Sequence, residues 1–310
     1  MGCSDVSVRE GSSMPKKPRA AALADAAKRA ELRFPEPFYW TTRRLKAVEA
    51  AAPDFGSDTF DARPLATLDP GESSIDFIVD GDSWFNHSLL LDVLDWFNDE
   101  ELAFAGAFMP GRTLAEMVQR KRYESSLQAF AVRAVMLSGG GNDLIGWKKR
   151  ANGASTIFQS ATGSDPANYI DTGALTAALD SLEGLLTQYT KDVRVIKPGV
   201  PIVTHCYDWI IPKDYDLAPP FSFFESGEWV NPQLDALGIA KDQTLRNGIV
   251  RVLIDKANER YATVCAANGI TYVDLRGTVK GRWFDEIHPR NAAFHEIADK
   301  LVAAAPKKRV

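Results

Sequence analysis

The stretch that decides the fold is residues 75–84, which read IDFIVDGDSW. A mainly apolar run ends there in Gly81, Asp82 and Ser83, residue types that favour turns for conformational reasons. A short buried run followed by a turn is typical of a strand in a parallel sheet. The same letters also fit a strand that delivers a nucleophilic serine to the edge of a sheet, so the rest of the chain must separate the two interpretations.

From residue 75 onward, short apolar runs alternate with longer segments of helical period, which predicts an α/β fold with one doubly wound parallel sheet. The predicted strands are 75–80, 102–106, 132–138, 200–205 and 270–275. The predicted helices are approximately 86–98, 113–130, 173–190, 243–267 and 290–304.

The composition predicts an ordinary globular protein of 310 residues, with 45% hydrophobic and 25% charged residues. A net charge of -5 argues against nucleic acid as the main partner, because phosphate binding needs a basic surface. Three cysteines are too few for a disulfide framework. No apolar stretch approaches the roughly 20 residues of a membrane span, and the start lacks a signal-peptide pattern, so we expect a cytoplasmic protein.

The chain divides by composition into three predicted parts. Residues 1–17 are polar and predict a disordered leader, and residues 18–74 predict a helical extension that packs on the body. Residues 75–305 form the predicted α/β domain, in which 147–172 reads as an exposed loop. Residues 207–232 are rich in aromatic side chains and proline, which favours a lid-like insertion or a pocket wall.

Polar residues follow the predicted strands at the edge where an open α/β sheet binds its ligands. Ser83 follows the first strand, and Asp285 and His288 lie about ten residues beyond the fifth. A serine hydroxyl attacks a carbonyl only if a base removes its proton, and an imidazole does so when a carboxylate orients it. We therefore predict Ser83 as nucleophile, His288 as base and Asp285 as the orienting group.

The oxyanion of such a reaction needs preorganised hydrogen-bond donors. The backbone N–H groups of Ser83 and Gly111 and the side-chain amide of Asn142 are the predicted donors, each from a different strand end. Gly106 is a minor rival to Gly111. Asp143, next to Asn142, is predicted to serve only turn and cap chemistry.

Four short blocks, GDSW, PGRT, GGND and DEIHP, occur in that order between residues 81 and 289. Together they resemble the sequence blocks of the SGNH (GDSL-type) hydrolase superfamily, over about residues 75–300. The resemblance implies a flavodoxin-like three-layer α/β/α sandwich with a five-stranded parallel sheet, and hydrolysis of esters or thioesters with no metal and no cofactor. It assigns the nucleophile to Ser83, oxyanion donors to Gly111 and Asn142, and the remaining triad positions to Asp285 and His288. The first block departs from the pattern, with Trp84 where the family has leucine.

The three histidines other than His288 are weaker candidates. His87 lies four residues after Ser83 and competes as a base if it is on the following helix. His205 ends the fourth strand and is predicted to be structural. His295 is predicted to face solvent from a helix.

Trp84, Tyr207 and Trp209 are the predicted pocket residues, and they favour a small-molecule ester with an apolar acyl group. Simple acyl esters, sugar esters, phospholipids and thioesters all remain open as substrates. The oligomeric state has no signature in the sequence.

Two other functions remain open. A binuclear metal phosphoesterase is one, because several oxygen and imidazole ligands follow the strands: Asp80, Asp82, Asn142, Asp143, His205, Asp285 and His288. However, GGND lacks the histidine of the metallophosphatase GNH motif, and no Asp-x-His pair follows the first strand. A non-catalytic carbohydrate- or acyl-binding relative is the other, although every catalytic residue type is present.

Overall fold

The structure is a computed structural model that describes residues 74–87, 90–100, 102–214 and 229–307. The predicted leader 1–17 and all of the predicted extension 18–74 except Ser74 lie outside the described residues. Most of the predicted lid-like insertion does so too. The predicted division of the chain into domains therefore stays a prediction.

Five strands form one sheet in which every neighbouring pair is parallel. The strands are β1 (Ser74–Gly81), β2 (Phe104–Phe108), β3 (Ala131–Ser138), β4 (Ile202–His205) and β5 (Thr271–Val273). Their spatial order is β2-β1-β3-β4-β5, the order of a flavodoxin-like sheet. The prediction of a doubly wound, five-stranded parallel sheet is confirmed.

Eight α-helices occur in the described part of the chain, together with a 3₁₀ turn at Pro166–Tyr169. They are α1 (Val93–Asp99), α2 (Leu114–Arg120), α3 (Glu124–Ala129), α4 (Gly141–Ile145), α5 (Thr172–Ile196), α6 (Asn231–Ala236), α7 (Gln243–Asn268) and α8 (Asn291–Ala304). Helix α1 packs on α8, while α5 packs on both α2 and α7. Strand β2 lies on one side of β1, and β3, β4 and β5 follow on the other side. Right-handed connections therefore place α1 and α8 on one face of the sheet and α2, α5 and α7 on the other.

The first helix starts later than predicted, at Val93 instead of 86. The side chain of Asp92 accepts hydrogen bonds from the backbone N–H groups of Leu94 and Asp95, which caps the helix at that point. It also accepts the N–H of His87 at 2.7 Å. His87 therefore lies in the connection before the helix and not on the helix itself.

Two further predictions of local structure need correction. The helix predicted over 113–130 is two helices, because Lys121 adopts a left-handed conformation at φ 46° and ends the first. The loop 147–172 is not exposed throughout. Ile157 and Phe158 are fully buried in the hydrophobic core, so the segment is folded against the body.

The core lies on both sides of the central strands, where Phe77, Ile78 and Val79 of β1 are fully buried. The body cysteines, Cys206 and Cys265, are buried free thiols. Within the described part of the chain, no helix combines the length and the apolar character that crossing a bilayer requires.

Candidate active site

A tight turn follows β1 and contains Ser83. The carbonyl of Asp82 accepts the N–H groups of Phe85 and Asn86, each at 3.1 Å, and the Asp82 carboxylate accepts the N–H of Trp84. These bonds reverse the chain directly after the strand. Ser83 consequently lies in a turn at the carboxyl edge of the sheet, rather than at the start of a helix.

A second tight loop contains Asp285 and His288. The backbone N–H of Phe284 donates to the carbonyl of His288 at 2.8 Å and closes the loop. Inside it, one carboxylate oxygen of Asp285 accepts the N–H groups of Ile287 and His288, at 2.9 and 2.7 Å. These bonds fix the carboxylate and the imidazole on the same side of the loop.

The two loops bring three side chains into one hydrogen-bonded line. His288 Nε2 lies 2.8 Å from Ser83 Oγ, and His288 Nδ1 lies 2.7 Å from Asp285 Oδ2. All three residues are buried, with 7% of Ser83 exposed. An ionised carboxylate only accepts hydrogen bonds, so Nδ1 of the imidazole holds the proton and Nε2 is able to take the one on the serine.

Trp84 connects the serine turn to the histidine loop. Its indole N–H donates to the carbonyl of Ile287 at 3.1 Å, across 203 residues of sequence. The buried ring also packs edge-on against Tyr207 and Phe294. The larger side chain at this fourth letter of the first block thus stabilises the arrangement of the two loops.

Asp82 ties together the ends of three strands. Its carboxylate accepts the Ser138 hydroxyl at 2.8 Å, from the end of β3, and the Tyr207 hydroxyl at 2.5 Å, just beyond β4. The Tyr207 oxygen in turn accepts the N–H of Gly141 at 3.2 Å. Burial raises the pKa of Tyr207 well above its usual value, so the phenol stays protonated and remains a donor.

Asn142 is oriented by the loop that follows β2. Its amide nitrogen donates to the carbonyl of Arg112 at 2.9 Å, which leaves the second N–H of the same amide for another acceptor. The Arg112 side chain is buried, where it donates to Asp80 at 2.6 Å and to the Ala107 carbonyl at 3.0 Å. A buried ion pair therefore holds the backbone that positions Asn142.

The two glycines considered as backbone donors lie in different environments. Gly111 precedes Arg112 in the loop, is exposed and has φ 79°. Gly106 lies within β2 at φ 143°, and a Cβ there would come 1.8 Å from the Val79 carbonyl oxygen. The close approach of two strands accounts for Gly106, whereas Gly111 lies in the loop that follows the carboxyl end of β2 and is not part of the cavity lining described below.

The glycines before Asn142 allow two tyrosines to approach the backbone. A Cβ on Gly140, at φ 101°, would lie 1.9 Å from the hydroxyl of Tyr261, and one on Gly141 would lie 2.7 Å from the ring of Tyr207. Asp143 accepts the N–H groups at the start of α2, at 2.7 and 3.2 Å. Asp143 therefore caps the start of α2, although it lies in α4 itself.

A narrow cavity opens beside Ser83. It is lined by Asp82, Ser83, Trp84, Gly141, Asn142, Leu144, Ile145, Tyr207, Ile210, Leu253, Ile254 and Ile287. Two of the three predicted pocket residues, Trp84 and Tyr207, are in this lining. Trp209 is not, because its indole N–H binds Asp255 at 2.9 Å and its ring lies under the guanidinium of Arg251.

The other histidines differ in their relation to the site. The ring of His87 lies 4.3 Å from that of His288, centroid to centroid, so the connection after the serine turn does bring it close. His205 is fully buried, and burial lowers its pKa. It stacks on Trp84 and lies outside the cavity lining, as a structural residue would. His295 stacks on Trp96 at the surface.

Of the seven residues predicted as possible ligands of a binuclear metal centre, only Asp285 and His288 share a group of metal-ligating atoms among the described residues. Asp80 pairs with Arg112, Asp82 binds two hydroxyl groups, and Asp143 caps a helix. Among the described residues, metal-ligating atoms come together in two groups, His87 with Asp285 and His288, and the exposed Glu100 with His295 and Asp299. The first group contains two residues already hydrogen-bonded in line with Ser83.

Glu286, next to Asp285, is a further residue near the site, and the sequence pattern does not predict a role for it. Its buried carboxylate accepts the N–H groups of Trp229, Val230 and Asn231, the last two at 2.8 and 2.7 Å. Its carbonyl accepts the N–H of Ile211. Burial raises the pKa of Glu286 to about 7. Both flanks of the aromatic segment are thereby attached to the residue beside Asp285.

Trp229, held by Glu286, also contacts the candidate base. Its ring lies 5.1 Å from that of His288 in an edge-on arrangement. No sequence motif signals this contact, because Trp229 and His288 are close only after the chain has folded.

No family model matches the chain, and no curated protein matches it. Solved structures with a similar fold include a lipase from a goat rumen metagenome, with TM-score 0.47 and 13% identity over 74% of this chain and 97% of the other. Phospholipase A1 from Streptomyces albidoflavus has TM-score 0.46 and 16% identity over 75% and 100%. A variant of an acetyl xylan esterase from Geobacillus stearothermophilus has TM-score 0.44 and 13% identity over 77% and 99%. What this chain has in common with these structures is the fold, at 13–16% identity.

Proposed function

We propose that this chain is a serine hydrolase of the SGNH (GDSL-type) class that cleaves carboxylic esters or thioesters through a covalent acyl-enzyme on Ser83. The observation that carries the proposal is the hydrogen-bonded line from Ser83 Oγ through His288 to Asp285, at 2.8 and 2.7 Å. A serine in a plain structural turn has no need of an imidazole that is itself held by a buried carboxylate.

In the first half of the reaction, Ser83 Oγ attacks the ester carbonyl carbon while His288 Nε2 takes the hydroxyl proton. Asp285 keeps the ring oriented and stabilises the imidazolium that forms. The tetrahedral intermediate then collapses, the bond to the alcohol oxygen breaks, and His288 returns the proton to that oxygen. The products are a free alcohol and an acyl group bonded to Ser83.

In the second half, water replaces the alcohol. His288 takes a proton from the water as it attacks the acyl carbon, and then returns it to Ser83 Oγ as the acid leaves. In both halves the carbonyl oxygen becomes negative. The free N–H of the Asn142 amide and the backbone N–H groups of Ser83 and Gly111 are the proposed donors to it, and each removed donor costs about 10²–10³ in kcat in comparable sites.

The decisive experiment compares Ser83→Ala with the wild-type chain on p-nitrophenyl acetate and butyrate. We expect the variant to lose at least about 10³ of kcat, because the nucleophile is removed while the cavity stays intact. Ser160→Ala is a suitable control, since that hydroxyl binds the Leu237 carbonyl in an exposed loop. Mass spectrometry after treatment with a fluorophosphonate is expected to find one adduct, on Ser83. Full activity in Ser83→Ala, or an adduct elsewhere, contradicts the proposal.

A further inference from the structure

The cavity beside Ser83 has a narrow and apolar interior. Six aliphatic side chains line it: Leu144, Ile145, Ile210, Leu253, Ile254 and Ile287. The volume inside it is about 30 Å³. By the same measure one water molecule needs about 10–15 Å³, so the space accepts roughly two or three groups of the size of a water molecule.

The position of the cavity identifies which part of an ester it receives. Its lining includes Ser83 and Asn142 but not His288. In the proposed reaction the leaving alcohol takes its proton from His288 Nε2, so the alcohol departs on the histidine side of the carbonyl carbon. The acyl chain then extends away from His288, which directs it into the cavity.

The walls of the cavity are firmly packed. Leu253 is 2% exposed and lies in the middle of the long helix α7, against the core. Tyr207 is fixed at both ends, by its hydroxyl on Asp82 and by the side-chain amide of Asn258, which donates to its carbonyl at 3.0 Å. Widening the cavity would require these packed groups to move, and packed interiors resist this.

We propose that this cavity is an acyl-binding site that selects short acyl groups, from acetyl to butyryl. The proposal rests on the proposed function, since it assigns the acyl half of the substrate of the same site. Leu253 and Ile145 are its specificity-determining residues, from α7 and α4. Esters of long-chain fatty acids are poor substrates, because their chains have no room beyond about the fourth carbon.

The test measures kcat/KM for p-nitrophenyl acetate, butyrate, octanoate and laurate. For the wild-type chain we expect at least a tenfold drop from butyrate to octanoate. Leu253→Ala is expected to raise the octanoate-to-butyrate ratio about tenfold, because it lengthens the cavity. Ile249→Ala is the matched control. It removes an equally buried side chain from the same helix outside the cavity lining, and it should leave the ratio unchanged.

A second variant keeps the test decisive if Leu253→Ala fails to fold. Ile145 is only partly buried, near the end of α4, and Ile145→Phe fills the cavity instead of emptying it. We expect the butyrate-to-acetate ratio to fall at least fivefold. Wild-type turnover of octanoate or laurate as fast as butyrate overturns the short-acyl proposal, and so does an unchanged ratio in both variants.

The two proposals fail in different ways. If a fluorophosphonate labels Ser83 and the enzyme prefers long-chain esters, the hydrolase proposal stands and the short-acyl proposal is wrong. If Ser83 is not labelled and no ester is cleaved, the proposed function itself is wrong, and the acyl assignment with it.

Discussion

The guanidinium of Arg112 lies 2.6 Å from the carboxylate of Asp80, and both side chains are buried. Asp80 lies near the end of β1, three residues before Ser83, and Arg112 presents its carbonyl to the amide of Asn142. One ion pair thus connects the strand that leads to the candidate nucleophile with the loop that orients a candidate oxyanion donor.

Replacing Asp80 by asparagine is expected to destabilise the protein strongly. The substitution leaves a buried guanidinium without its counter-charge, and breaking a buried pair in this way typically costs about 3–5 kcal/mol. Urea unfolding at pH 8 measures the change in the free energy of unfolding. The same experiment on Glu259→Gln, which breaks the exposed pair with Lys256, should give a loss below about 1 kcal/mol. Equal small losses would show that the buried pair is not what holds the loop.

The hydroxyl of Tyr207 is expected to matter for both stability and catalysis. Tyr207→Phe removes the donor to Asp82 and the acceptor for the Gly141 N–H, which leaves a buried carboxylate oxygen and a partly buried N–H without that partner. We expect a loss of about 1–3 kcal/mol and a drop of roughly tenfold in kcat/KM, because Asn142 adjoins Gly141.

Tyr169→Phe is the control for Tyr207→Phe. Among the described residues, the Tyr169 hydroxyl donates only to the Gly163 carbonyl, within its own loop. This variant should leave kcat/KM on p-nitrophenyl butyrate unchanged. If both phenylalanine variants retain full activity, the hydrogen bonds of the Tyr207 hydroxyl to Asp82 and Gly141 do not affect the reaction.

The sheet and the residues at its edge were predictable because their signals are local. Each strand is a short apolar run, and Ser83, Asn142 and His288 are members of the recognisable blocks GDSW, GGND and DEIHP. Parallel strands bring their carboxyl ends to one edge, so residues far apart in sequence converge without any further information.

The remainder depended on tertiary contacts that leave no pattern in the sequence. Glu286 reads as an ordinary polar letter beside Asp285, but its partners are 55–57 residues away. The helix predicted from residue 86 begins at Val93, because Asp92 offers its carboxylate to the backbone there. Trp209 fits a pocket by its type and position, yet Arg251 and Asp255 hold it outside the cavity lining.

Replacing glycine by alanine is expected to have opposite effects on stability at Gly141 and at Gly184. A Cβ on Gly141 would lie 2.7 Å from the Tyr207 ring, whereas one on Gly184, in the interior of α5, meets nothing within 4 Å. Gly141→Ala should therefore cost about 1–3 kcal/mol through overpacking and lower kcat/KM. Gly184→Ala should stabilise the helix by about 0.5–1 kcal/mol with unchanged kcat/KM. Thermal unfolding and kinetics of both variants check the pair, and a stabilised, fully active Gly141→Ala contradicts the packing argument.

The raised pKa of Glu286 is expected to make the stability of the protein depend on pH, with a defined sign. Its pKa is raised by burial from 4.5 to about 7, so between these values the folded chain keeps a proton that the unfolded chain has released. The free energy of unfolding must then fall as the pH rises from about 4.5 to 7, by up to roughly 3 kcal/mol from this group. Glu286→Gln removes this contribution to the pH dependence. Burial also raises the pKa of Asp80, but the contribution of Asp80 is the same in both proteins and cancels when they are compared.

Urea unfolding of the wild-type chain and of Glu286→Gln at pH 5, 6, 7 and 8 measures the difference. We expect the variant to lose less stability than the wild type over this range, so the gap between the two curves changes steadily up to about pH 7 and levels off towards pH 8. The variant should also show a lower kcat/KM at pH 8, since a glutamine amide cannot accept all three N–H groups from 229–231 and releases Trp229 from His288. Parallel stability curves would mean that the carboxyl titrates alike in the folded and unfolded states. Unchanged kinetics would mean that the attachment of the aromatic segment does not influence the loop of Asp285 and His288.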